Sequence, residues 1–149
     1  MVMNTKTVIQ ADEKRDLESE VNSADPHKLI SMLYEGALLA IANARDSISL
    51  NDTSAKVAAI SKAIAIINDG LNASLDKKVG GELAQNLSSL YEYMSMRLIT
   101  ANLKNDIAIL DEVASLLNDL KSAWDEIRQT NIAPSATLQP NAANSAQQP

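Results

Sequence analysis

Between Gly80 and Asn102, the residues Leu83, Leu87, Leu90, Met94, Leu98 and Ala101 recur at spacings of three and four. That period aligns side chains along one face of an α-helix. At roughly 100° per residue, Met96, Ile99 and Leu103 fall on nearly the opposite side. One apolar stripe is enough to dock a helix on a core. A second stripe on the same helix points to something else bound there.

The same periodicity recurs along the chain. Asp25-Pro26 marks a helix start, because Asp25 can cap and Pro26 suits the first helical position. The pattern predicts a helix from Pro26 to about Ser49. Leu29, Leu33, Ala37, Ala40 and Ala44 form the centre of its apolar arc. Ile30, Tyr34, Leu38 and Ile41 widen one flank, and Met32 and Leu39 the other, over roughly 260° of the wheel. Such a helix is either central in a bundle or partly covered by a partner. After a capping turn at Asn51 to Ser54, a third segment runs to about Ser74 with a stripe of Val57, Ile60, Ile64, Ile67, Leu71 and Leu75. On its flank Ala59, Ala63, Ile66 and Gly70 either admit a close neighbouring helix or form ordinary alanine-rich surface.

Asp76 to Gly81 reads as a loop, and Asn105 as a cap after the Gly80–Leu103 helix. The last helix spans about Asp106 to Arg128, with Ile109, Leu110, Val113, Leu117, Leu120, Trp124 and Ile127 on its core face. Long helices with short loops imply an all-α fold, an antiparallel four-helix bundle over residues 23–128. Residues 1–22 carry a thin apolar set, Ile9, Leu17 and Val21, and read as a weakly helical cap segment. Residues 129–149 contain no charged residue and read as a disordered tail.

Several function classes lack their chemistry. The chain has no cysteine, which excludes thiolate metal sites and cysteine nucleophiles. Its net charge of −6 argues against nucleic acid as a partner. No apolar run has the length of a membrane span, so membrane insertion is not expected and the cytoplasm is the expected compartment. No phosphate-binding glycine loop or nucleophile with a base is visible, so neither catalysis nor a cofactor is expected. The single histidine, His27, follows Pro26 and reads as an exposed first-turn residue; a phosphotransfer module is the competing use for it. The carboxylates Asp12, Glu13, Asp16, Glu18 and Glu20 lack the turn of a calcium loop and read as a solvated acidic face, not a metal site.

Read together, separate motifs occur in a particular order. Leu17-Glu18-Ser19 precedes Ser23-Ala24-Asp25-Pro26-His27-Lys28-Leu29 and Met32-Leu33-Tyr34-Glu35-Gly36-Ala37. Gly70-Leu71-Asn72-Ala73-Ser74-Leu75-Asp76 and Gly80-Gly81-Glu82 follow, then Leu90-Tyr91-Glu92-Tyr93-Met94 and Ala101-Asn102. Over about residues 11–128 the chain closely resembles the flagellin export chaperone family, FliS. The resemblance implies a cytoplasmic bundle that holds the disordered C-terminal segment of flagellin, prevents premature polymerisation and assists delivery to the flagellar export gate. It implies that Leu33-Tyr34 and Tyr93-Met94 shape the groove for that segment. The off-core residues Leu38, Ile41, Ile66, Met96, Ile99 and Leu103 join them as candidate contacts, with Arg97 and Asn102 as candidate partners for substrate backbone or carboxylate groups. Met94 and Leu33 lie on the main stripes of their helices, which favours core packing over contact for both. The family often carries an aromatic residue before Leu17-Glu18-Ser19; here Ala11 to Lys14 has none, so no gate-docking residue is assigned. The competing class outside chaperones and phosphotransfer is an adaptor bundle for a partner other than flagellin.

Overall fold

The computed structural model describes residues 25–132, which form an all-α bundle of four helices. Helix α1 spans Pro26–Ser49, α2 Thr53–Ala65, α3 Lys77–Lys104 and α4 Ile107–Ile132; a π-helical stretch, Ile66–Asn72, extends α2. The expectations for residues 1–22 and for 133–149 of the tail lie outside the described residues. The last helix continues to Ile132 rather than stopping at Arg128.

Helix α1 begins where its cap chemistry dictates. The Asp25 side chain accepts a hydrogen bond from the Lys28 N–H at 2.7 Å, and Pro26 opens the first turn. Successive helices pack side by side, and α4 closes the ring against α1, leaving α1 opposite α3 and α2 opposite α4. The core lies on the common axis, with Ala37, Ala44, Ile67, Met94, Leu98, Leu110, Val113 and Leu117 fully buried. Small residues on facing helices set the spacing. A Cβ added to Gly70 would lie 2.9 Å from Leu33 Cδ2, and one on Gly36 would lie 3.3 Å from Ile66 Cδ1. The flank of small residues on the second segment is therefore a packing surface against α1.

Four local expectations are corrected. The stretch Lys77 to Gly80 is helical rather than loop, because Asp76 caps it by accepting from the Lys78 and Val79 N–H groups. Gly81 then interrupts the helix at φ 55° and ψ −131°, a combination that side chains with a Cβ rarely adopt. Helix α3 keeps Met94, Leu98 and Ala101 of its expected stripe fully buried, but the first half of that stripe is displaced. Leu83 is 68 % exposed, and the buried face runs through Ala84, Ser88, Tyr91, Ser95 and Leu98. Asn68 Oδ1 of the π-helical stretch accepts from Ser95 Oγ at 2.9 Å, so a polar side chain is satisfied within the buried face. On α2, Val57 is 43 % exposed and its neighbour Lys56 is buried instead.

The fourth correction concerns His27. It is half-buried, and its ring stacks on Trp124 with centroids 4.3 Å apart. The Trp124 indole N–H donates to the His27 carbonyl at 2.9 Å, and His27 Nε2–H donates to the Trp124 carbonyl at 2.7 Å. This reciprocal pair ties the start of α1 to the far part of α4.

Candidate partner-binding surface

The second stripe of α3 is solvent-facing in the folded chain. Met96 is 69 % exposed, Ile99 51 % and Leu103 79 %. Their spacing places them in one line along the outer side of the helix. Tyr93, one turn before Met96, is exposed at 43 % and flanks that line. A line of large apolar side chains in water is the surface a partner would cover.

The side of this line toward α4 is built from charge. Glu112 of α4 accepts a hydrogen bond from the Tyr93 hydroxyl through one carboxylate oxygen. Arg97 Nε–H donates to the other oxygen at 2.9 Å. These two bonds hold the Glu112 carboxyl below its usual range, and the same contact with Glu112 pushes the Tyr93 phenol up. Arg97 and Glu112 each keep about a third of their side chain in water, so the pair contributes orientation more than stability.

The other candidate residues have different surroundings. Tyr34, Ile41 and Met94 belong to the core, at 4 %, 2 % and 0 % exposure. The Tyr34 and Tyr91 hydroxyls hydrogen-bond each other at 2.7 Å between α1 and α3. In the folded bundle these three residues support the helices that carry the exposed line. Leu38 on α1 and Ile66 in the π-helical stretch are half-buried and pack on the core from the side. Asn102 is committed internally: its carbonyl accepts from Lys56 Nζ at 2.9 Å, and its side-chain oxygen is buried. Arg97 keeps about a third of its side chain in water, whereas the Asn102 side-chain oxygen is buried.

Sequence reasoning missed Glu112 and Lys56. Glu112 sits in a helix of mixed charge, and its partners come from α3. Lys56 Nζ reaches the end of α3, donating also to Asn105 Oδ1 at 2.6 Å. Asn105 itself takes the left-handed conformation that ends the helix, at φ 51°. Neither residue carries a local motif that would have singled it out.

His27 offers no site for phosphoryl transfer in this fold. Its Nδ1 is buried, and its Nε2 is bonded to the Trp124 carbonyl. Among the described residues, no group of histidine and carboxylate side chains could hold a metal ion, and no helix is long and apolar enough to cross a membrane.

Comparison with known proteins adds the decisive observation. The family model for the flagellar protein FliS matches residues 8–131. The chain belongs to the FliS family. It is 46 % identical over 137 residues to the flagellar secretion chaperone FliS of Salmonella typhimurium, an alignment that covers 92 % of this chain and 98 % of that protein. It is 48 % identical over 111 residues to the flagellar secretion chaperone FliSB of Pseudomonas aeruginosa, covering 74 % and 87 % of the two chains. The FliS of Escherichia coli is 42 % identical over 117 residues, covering 78 % of this chain and 86 % of its own. These relatives are named flagellar secretion chaperones, and the all-helical bundle described here is compatible with that role.

Proposed function

We propose that this protein is a cytoplasmic chaperone of flagellar export that holds the disordered C-terminal segment of flagellin, keeps it from polymerising early and assists its delivery to the export gate. The observation that carries this reading is the exposed line of Met96, Ile99 and Leu103, on a helix whose other side is already packed into the core. A segment that is disordered when free gains its fold by covering such a surface. The line spans about two helical turns, roughly 10 Å, enough to seat a short stretch of an amphipathic helix, with Tyr93 at its edge as a rigid contact. Tyr34, Ile41 and Met94 serve beneath it as support, while Leu38 and Ile66 offer half-buried edges on neighbouring elements.

Titration calorimetry with flagellin and with flagellin lacking its C-terminal segment tests the proposal. The expected result is one-to-one binding with a clearly negative heat-capacity change, lost on truncation, because coupled folding buries apolar area. Equal affinity for the two forms refutes it.

A further inference from the structure

Arg97 directly follows Met96 on the helix that carries the exposed line. A guanidinium presents five N–H donors in a rigid planar fork. Here the Nε–H is taken by Glu112 Oε1 at 2.9 Å and the Tyr93 hydroxyl is a second side-chain hydrogen-bond partner, which leaves part of the five-donor fork uncommitted. Asp106, the other carboxylate that acts on Arg97, is occupied in capping α4, where it accepts from the Ile109 N–H at 3.3 Å. Glu112 is itself held from a second side by the Tyr93 hydroxyl. The fork is thus anchored at one end, has donors to spare, and stands beside a surface that something apolar covers.

The charges around the line have a direction. Glu92 lies one turn before Met96, Lys104 directly follows Leu103, and both are exposed. The line therefore runs from a negative end to a positive end, with Arg97 on its flank. A segment that seats apolar side chains on Met96, Ile99 and Leu103 brings its own flanking side chains against that pattern. In a protein of net charge −6, an acidic residue on such a segment meets repulsion over most of the surface and attraction here. A guanidinium with free donors takes a carboxylate through two parallel hydrogen bonds, a geometry an ammonium does not reproduce.

We propose that Arg97 reads a carboxylate on the segment that docks along Met96, Ile99 and Leu103, so that the bound flagellin segment carries an acidic side chain beside its apolar anchors. This rests on the reading of that face as the flagellin site.

The test is a titration of the full-length chaperone with the C-terminal flagellin segment as probe, at low and high salt. Arg97→Gln, Arg97→Lys and Ile99→Asp are compared with the unaltered protein. Segments in which each Asp or Glu is replaced by Asn or Gln are titrated against the unaltered protein and Arg97→Gln. Arg97→Gln should weaken binding about tenfold and reduce its salt dependence. Arg97→Lys should recover only part of the loss, since the charge returns without the fork. One acidic substitution in the segment should cost about as much against the unaltered protein and nothing further against Arg97→Gln. Melting curves accompany each variant, and Arg97→Lys carries the comparison if Arg97→Gln melts early. If Ile99→Asp loses binding while Arg97→Gln binds like the unaltered protein, the face stands and the carboxylate reading falls. The carboxylate reading also falls if every acidic substitution adds its full cost on top of Arg97→Gln. If Ile99→Asp binds like the unaltered protein, the face is not the flagellin site and the proposed location falls with it.

Discussion

Leu98 and Ile99 are chain neighbours on α3 with opposite surroundings: Leu98 has no exposed surface and Ile99 keeps 51 % of its own. Truncating Leu98 to alanine removes buried atoms and leaves a cavity that the packed helices only partly fill. Comparable core truncations cost about 3 kcal/mol or more. At about 4 °C per kcal/mol for a domain of this size, the melting midpoint should fall by roughly 12 °C. Ile99→Asp replaces one solvent-facing helix residue by another of similar propensity, so its stability cost should stay below about 1 kcal/mol. Binding should respond in the reverse order. A partner covering Ile99 would have to strip water from the new carboxylate without offering it a countercharge, a penalty of about 3 kcal/mol or roughly a hundredfold in affinity. Far-UV circular dichroism melts and calorimetric titration with the flagellin segment measure both quantities on the same samples. If Ile99→Asp melts as low as Leu98→Ala, the outward assignment of the second stripe is wrong. If it melts normally and binds normally, the line is not a contact surface.

Other expectations follow from particular contacts. Lys56→Met should cost about 1–3 kcal/mol in denaturant unfolding and leave flagellin affinity unchanged, because it strands the Asn102 carbonyl and Asn105 Oδ1 at the end of α3; an unchanged unfolding midpoint would show that the buried ammonium is not needed there. Gly81→Ala should cost about 1–3 kcal/mol from backbone strain alone, since the added Cβ meets no neighbour while φ is +55°, and a melt equal to that of the unaltered protein would refute the strain. Burial pushes the Tyr34 and Tyr91 phenols above their ordinary value of 10.0. The native state then holds protons that the unfolded chain releases, so stability should decline as pH rises past about 10. Denaturant midpoints measured on either side of that pH check the sign, and a rise with pH would contradict it.

What was legible in the sequence is what neighbouring residues decide among themselves. The start of α1 follows from Asp25 and Pro26, whose capping bond spans three residues. The outward placement of Met96, Ile99 and Leu103 follows from helical period alone. The order of short motifs was specific enough to point to the family. The proposed contact line was therefore readable before any fold was known, and Arg97 with it.

The tertiary structure decided everything that depends on which helix lies opposite. Periodicity marks a stripe of leucines on α3 but cannot rank that stripe against one made of Ala84, Ser88 and Ser95, because serine counts as polar until Asn68 supplies its hydrogen bond. Lys56 carries no local signal; its burial follows only once α3 ends beside it and offers a carbonyl. His27 reads as exposed until Trp124, 97 residues away, stacks on it and trades hydrogen bonds with it. Glu112 has no meaning in the sequence at all; it becomes the anchor of Arg97 only because α3 and α4 pack side by side. Burying a polar or charged group is costly unless a partner is in place, and in a bundle such partners come from other helices, at separations local sequence patterns do not encode.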